Sequence, residues 1–179
     1  KNTGTPQVTL SGGGLLTCAK DSLTITATIG TPGATFQWSG PGGTPIVSTS
    51  TTIDVTQPGT YGIVVTNPVN GCKASPTLAV IQNILPPQGV TATGGKIDCT
   101  TPTISIKGGS SSFGVTYQWE GPGSYTSSAQ NPNDIKTPGV YTVTVTRNDN
   151  GCTATATANV TQDPTVPTID VTTEVITCK

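Results

Sequence analysis

Cysteines recur in this chain at nearly fixed intervals, and that recurrence constrains the fold more than any other feature. Cys18, Cys99 and Cys178 are spaced about 80 residues apart, and Cys72 and Cys152 keep the same interval. Trp38 follows Cys18, and Trp119 follows Cys99, at one identical spacing, in TFQWSGPGG and TYQWEGPG. Tyr61 and Tyr141 each precede the cysteine of an Asn-Gly-Cys turn, Asn70 to Cys72 and Asn150 to Cys152, again at one spacing. A chain that repeats several markers in one order is a tandem array, so each copy must close its own core within about 80 residues. The expected division is a first repeat over 1–83, a second over 84–163, and the first strand of a third, incomplete repeat over 164–179. Leu16, Ile97 and Ile176, each standing two before its cysteine, mark the same point in all three copies.

Within each copy the apolar residues alternate. Leu23, Ile25, Ala27 and Ile29 are separated by Thr24, Thr26 and Thr28, the period of two expected of a strand with one buried face. Ile104 and Ile106 predict the same strand in the second copy. Phe36 with Trp38, and Tyr117 with Trp119, place two large rings on one face of the next strand, where they supply core volume. Tyr61, Ile63 and Val65 match Tyr141, Val143 and Val145 on a later strand. A final strand carries Ala74, Pro76, Leu78 and Val80, or Ala154, Ala156, Ala158 and Val160. Seven or so short strands per copy, with turn residues between them, predict an all-β chain of tandem immunoglobulin-like Greek-key sandwiches. The expected core is Phe36, Trp38, Tyr61, Tyr117, Trp119 and Tyr141, with Tyr61 and Tyr141 placed to make the corner hydrogen bond of that fold.

Composition narrows the chemistry. The 37 threonines, 22 glycines and 15 prolines suit strands and turns rather than helices. There is no histidine, which excludes His-based triads, proton relays and His-ligated metals. With 8 Lys and Arg against 9 Asp and Glu, the chain lacks the clustered positive charge that binding nucleic acid requires. No stretch approaches the roughly 20 apolar residues of a membrane span, so a soluble, mature or excised segment without membrane insertion is expected.

The order of these markers, a cysteine, an alternating strand, Y/F-x-W-x-G-P, P-G-x-Y-x-V-x-V-T and N-G-C, resembles the PKD-like and Ig-like tandem repeats of giant Bacteroidota cell-surface adhesins, including the SprB-type gliding adhesins. The likeness covers nearly the whole chain, twice. It departs from true PKD domains where Trp38-Ser39-Gly40-Pro41-Gly42 and Trp119-Glu120-Gly121-Pro122-Gly123 replace their W-D-F-G-D-G turn. The resemblance implies export to the outer surface by the type IX route and a stalk or adhesive role without catalysis, with gliding motility among the implied settings. Asp21-Ser22-Leu23 is similar to the O-glycosylation acceptor of the same group and marks Ser22 as a modification candidate. Asn159-Val160-Thr161 is an N-glycosylation sequon, relevant only outside most bacteria.

Other candidate sites read more plainly as structure. Glycosidase chemistry needs two facing carboxyls, and Asp21, Asp54, Asp98, Glu120, Asp134, Asp149, Asp163, Asp170 and Glu174 are scattered over turns and linkers. No catalytic residue, cofactor or metal is therefore expected. Asn148-Asp149-Asn150-Gly151 and Asp163 offer hard oxygen ligands for calcium, but Asn-Gly is also a standard hairpin turn, and the first-copy counterparts of Asp149 and Asp163 are Val69 and Asn83. Thr142, Thr144 and Thr146 with Thr153, Thr155 and Thr157 should face outward as a flat hydroxyl array, open to a glycan or crystalline polysaccharide, although threonine also simply suits a solvated strand face.

The cysteines leave two pairings open. Spacing suggests closure within each repeat, Cys18 with Cys72 and Cys99 with Cys152. Strand direction suggests otherwise. In an immunoglobulin-like sandwich the turn before the second strand and the turn after the sixth lie at opposite poles, more than roughly 20 Å apart for strands of this length, whereas disulfides need Cα atoms within about 7 Å. Pairing across the junction, Cys18 with Cys152, satisfies that limit and leaves Cys72, Cys99 and Cys178 to neighbouring repeats. The leading functional expectation is a non-catalytic stalk segment of a large secreted cell-surface adhesin or filament. Its expected partners are neighbouring repeats of the same chain and, more loosely, surface glycans. The alternatives are a carbohydrate-binding or spacer module of a secreted polysaccharide-degrading enzyme, which needs exposed aromatics, and a subunit of a self-assembling extracellular filament.

Overall fold

The strand-forming alternation and the glycine-proline turns organise the chain into two compact units, seen in a computed structural model that describes residues 4–163. The expected third-repeat strand over 164–179, with Ile176 and Cys178, lies outside the described residues. The first unit runs to Gln88 and takes in two pieces of the second sequence repeat, Ser112–Val115 and Thr146–Ala154. The second is built from Gly89–Ser111, Thr116–Val145 and the described residues from Thr155.

In the first repeat the strands are β1 (Val8–Ser11), β2 (Gly14–Thr17), β3 (Leu23–Ile29), β4 (Thr35–Ser39), β5 (Pro45–Ile46), β6 (Thr52–Val55), β7 (Gly59–Thr66), β8 (Lys73–Ala74) and β9 (Thr77–Asn83). One sheet has the order β1-β3-β6; the other has β2-β9-β7-β4-β5, with β8 added against β7. The opening segment therefore serves both sheets, β1 antiparallel to β3 and β2 parallel to β9. Gly12 makes the crossing. Its φ is +92°, and a Cβ there would lie 2.0 Å from the Thr24 carbonyl oxygen, so no larger residue fits. Between the sheets Leu23, Ile25, Ala27, Ile53 and Val55 meet Leu16, Trp38, Tyr61, Ile63, Val65 and Val80.

The second repeat contributes β10 (Thr91–Thr93), β11 (Gly95–Ile97), β12 (Lys107–Gly109), β13 (Val115–Gly121), β14 (Tyr125–Ser127), β15 (Gly139–Arg147) and β16 (Thr153–Gln162). Its larger sheet has the order β11-β16-β15-β13-β14, matching the first repeat. Even the parallel register is copied: Leu15 opposes Ile81 as Lys96 opposes Thr161. The other sheet differs. Among the described residues only β10 and β12 pair there, and the expected strand through Ile104 and Ile106 is reduced to an isolated bridge between Ile104 and Ile135. The cause is Asn131-Pro132-Asn133-Asp134, which stands where the first repeat has the edge of β6. Proline has no N–H for a ladder, and Asp134 takes a left-handed φ of 60°, so the pairing slips and Ile106 donates to the Pro132 carbonyl. Conversely, Pro76 divides β8 from β9 in the first repeat, whereas Ala156 lets β16 run unbroken.

Trp38 and Trp119 are fully buried, and each indole N–H finds a carbonyl, Ser50 at 3.0 Å and Gln130 at 3.3 Å. Satisfying that donor is what allows so large a ring inside. Tyr61 and Tyr141 are buried with their hydroxyls donating to the Gln57 and Thr137 carbonyls, both at 2.9 Å. Phe36 and Tyr117, expected in the core, are half-buried at its margin.

Candidate functional site

The residues brought together with the most specific geometry lie in the first unit, around Cys18. The turn that follows β2 is closed by the Thr17 N–H donating to the Lys20 carbonyl at 2.8 Å, and by the Lys20 N–H donating to Thr17 Oγ1 at 3.0 Å. It presents Cys18 and Ala19 at the surface. The turn between β15 and β16 supplies the other half. There the Arg147 N–H donates to the Cys152 carbonyl and the Gly151 N–H to the Arg147 carbonyl, both at 2.9 Å. Gly151 has φ +71°, as the Asn-Gly pattern demands.

Cys18 and Cys152 are bonded, with Cα atoms 4.9 Å apart and a sequence separation of 134. Closure within the first repeat, Cys18 to Cys72, is thereby excluded, as is Cys99 to Cys152. Around the bond the fit is close. Ala19 donates its N–H to the Asn150 carbonyl at 3.1 Å, and a Cβ on Gly151 would lie 2.6 Å from that of Ala19. Asn150 is 2% exposed and all of its side chain is used. Its Oδ1 accepts from the Cys152 N–H at 2.9 Å, while Nδ2 donates to Asn83 Oδ1 at 3.1 Å and to the Leu85 carbonyl at 2.9 Å. The amide therefore clamps the segment leaving β9 to the turn that carries Cys152. The sequence marks Asn150 only as a turn former. The sign of something more is its presence in both copies, since other residues also start such turns.

The remaining candidates fall elsewhere. Asp149 is engaged by Arg147 through two bonds, at 2.9 and 2.5 Å, and that guanidinium holds its carboxyl below the usual range. Asp163 pairs with Lys96 in the second unit, which raises the lysine above its ordinary value. The Asp149, Asn150 and Asp163 oxygens considered for calcium thus already serve other partners. Among the described residues no pocket opens, and no group of three Cys, Asp or Glu comes close enough to hold a metal. Thr153, Thr155 and Thr157 are exposed and Thr142, Thr144 and Thr146 half-buried, on the outward side of β15 and β16. The matching face of the first repeat carries Leu15 and Ile81, 38% and 61% exposed. Ser22 and Asn159 are exposed, Cys72 is half-buried, and Cys99 is an exposed free thiol.

No family model matches the chain, and no curated protein matches it. Among solved structures it is similar to three N-terminal domains of the bacteriophage RB49 highly immunogenic outer capsid protein, at 16% identity and a TM-score of 0.44, covering 87% of this chain and 59% of that one. An I-band fragment of titin aligns at 12% identity and 0.41, covering 88% and 66%. Extracellular domains 3–5 of Drosophila OTK align at 15% and 0.38, covering 86% and 62%. The chain thus spans about three fifths of the length of the phage fragment.

Proposed function

We propose that this chain is a non-catalytic structural segment of a larger extracellular surface protein, in which consecutive sandwich repeats carry an adhesive or filament-forming end away from the cell. The observation that carries the reading is the bond from Cys18 to Cys152, which covalently ties one repeat to the next rather than closing either on itself. A binding or catalytic module has no need of such a joint. A disulfide also fits an oxidising, extracytoplasmic setting. The resemblance to Bacteroidota surface adhesins supports the adhesin role and its gliding variant. Burial of Trp38 and Trp119 favours a stalk over a carbohydrate-binding module, since the largest rings are withdrawn from any sugar-stacking face.

The test pairs two measurements. Antibodies against the segment should label intact cells of the source organism. The purified chain should be neither retained on insoluble polysaccharides nor active on glycan and peptide panels. Saturable hydrolysis that disappears when one acidic residue is changed, or retention that disappears when a surface threonine is changed, would overturn the proposal.

A further inference from the structure

The larger sheet is built alike in both repeats, yet its outer face is not. In the first repeat the strands β2, β9, β7, β4 and β5 contain no Asp, Glu, Lys or Arg among them. Alternation with the buried Trp38, Tyr61, Ile63 and Val80 turns the exposed Gln37, Thr60 and Ala79 and the half-buried Val64 outward. Leu15 and Ile81, opposed in the parallel β2–β9 register, complete that face at one end and are 38% and 61% exposed. The fold does not require aliphatic groups there. The second repeat makes the same parallel pairing with Lys96 opposite Thr161, holds Lys96 against Asp163, and exposes Glu120 next to the buried Trp119. Charges of this kind keep a sheet from associating with another. The first repeat lacks them and leaves Ile81 in water, an unfavourable exposure that its neighbour avoids.

We propose that this face of the first repeat pairs with the same face of a second copy of the chain, sheet against sheet, about a twofold axis passing near Leu15 and Ile81. Charge decides the occupant. Near such an axis each group meets its own kind, so a charged face repels itself and an uncharged one does not. The five strands of the first repeat meet that condition, whereas the face carrying Lys96 and Glu120 does not. Lys73 of β8 is the nearest charge in register with the sheet, and it opposes Thr66 at one end of β7. Gly59, at the other end, opposes Val80 beside Ile81, so an axis at Ile81 keeps the two copies of Lys73 apart. A sugar-stacking partner is disfavoured, because Trp38 and Tyr61 are buried and Phe36 shares their inward side. Five strands about 4.8 Å apart, each about 20 Å long, present roughly 400–500 Å², short of the roughly 800 Å² per partner of a standard interface. The pairing is therefore weak and reverses on dilution. It joins chains side by side, and the stalk reading neither requires nor forbids it.

The test is sedimentation of the full chain, with Cys18–Cys152 intact and any free thiol alkylated so that no new disulfide links copies. Between about 10 µM and about 1 mM the monomer should pass to a dimer. Ile81→Lys should raise the dissociation constant about tenfold or more, because two like charges then meet near the axis. Val140→Lys is the control. Val140 is 58% exposed on the corresponding face of the second repeat, and its replacement should change the constant by no more than a factor of about two. Ile81→Lys mixed with Ile81→Glu should recover the dimer as a mixed pair, which two misfolded variants could not do. A chain that stays monomeric at about 1 mM, which would leave the face to some other protein, overturns the proposal. So does a dimer that Ile81→Lys leaves intact, or a mixture of the two variants that does not pair. Each of these results would leave the stalk reading untouched, since that reading stands on Cys18–Cys152 and is tested by surface labelling, binding and hydrolysis.

Discussion

The two repeats share one sheet and differ in the other. In both, the sheet holding the tryptophan and the corner tyrosine keeps its strand order and its parallel register. Among the described residues the opposite sheet has three strands in the first repeat, but in the second only the β10–β12 pair and the Ile104–Ile135 bridge. The shared sheet supplies the largest core side chains and ends in the turns that carry Cys72 and Cys152, so a change there disturbs core and joint together. The second sheet need only cover the core. Ile106 and Ile135, 0% and 1% exposed, show that a slipped edge still does so. Burial tolerates irregular backbone pairing provided the apolar side chains remain in place.

The largest effect on this comparison should come from the bond that both repeats share. Replacing Cys18 and Cys152 by alanine removes a closure with a sequence separation of 134, for which chain entropy allows at most about 5 kcal/mol. Hydrogen exchange read by mass spectrometry should show protection falling in both repeats. A loss confined to one would mean that the joint supports that repeat alone. Next come the tryptophans, where truncation to alanine costs about 3–5 kcal/mol in a packed core. Trp119→Ala should unfold its repeat at lower denaturant than Trp38→Ala unfolds the other, because the second repeat has less regular pairing to fall back on. Equal midpoints would break the comparison.

Smaller still, Tyr61→Phe and Tyr141→Phe each remove one buried hydrogen bond of equal length, so thermal melts should show matched losses of about 0.5–1.5 kcal/mol. Tyr141→Ala should exceed Tyr61→Ala, because Tyr141 has an edge-on ring partner, Tyr125, with centroids 5.3 Å apart, and no such pair is found at Tyr61 among the described residues. The smallest difference lies in acid. Asp98 is held below the ordinary carboxylate value by hydrogen bonds from the Thr100 hydroxyl and the Thr101 and Thr100 N–H groups, whereas Thr17 in the first repeat cannot titrate. The folded state therefore favours the ionised carboxylate. Its contribution is present above the unfolded value of about 4 and is lost as pH falls through the lower folded value. Asp98→Asn should remove a slight acid sensitivity from the turn carrying Cys99, read as exchange at Thr100 and Thr101.

Much of this is legible in the residues themselves. Alternating aliphatic and threonine residues specify a half-buried strand, and the matched Trp and Tyr positions specify a sandwich. Assigning the two turns to opposite poles favours the Cys18–Cys152 bond, while spacing leaves closure within each repeat open, and the structure decides for the former. What escapes has a different physical origin. The slipped edge of the second repeat depends on how Pro132 and Asp134 act together against Ile104 and Ile106, which are distant in the chain, and apolar periodicity does not report on a partner strand. Asn150 escapes because a side chain that starts a turn and one that also clamps a distant segment have the same local signature. The division of the opening segment between two sheets is marked only by Gly12, and glycines are common throughout the chain.

The bond at Cys18 also decides where tension would travel. A pull applied outside the pair enters at Cys18, crosses the two sulfurs and leaves at Cys152, and the intervening chain carries no load. Fully stretched, the segment between them, with its sequence separation of 134, would span roughly 450 Å, a length that cannot be drawn out while the bond is intact. The sandwiches then need only modest resistance to unfolding, since a covalent bond bears the force and their packing serves to hold the two sulfurs in reach of each other.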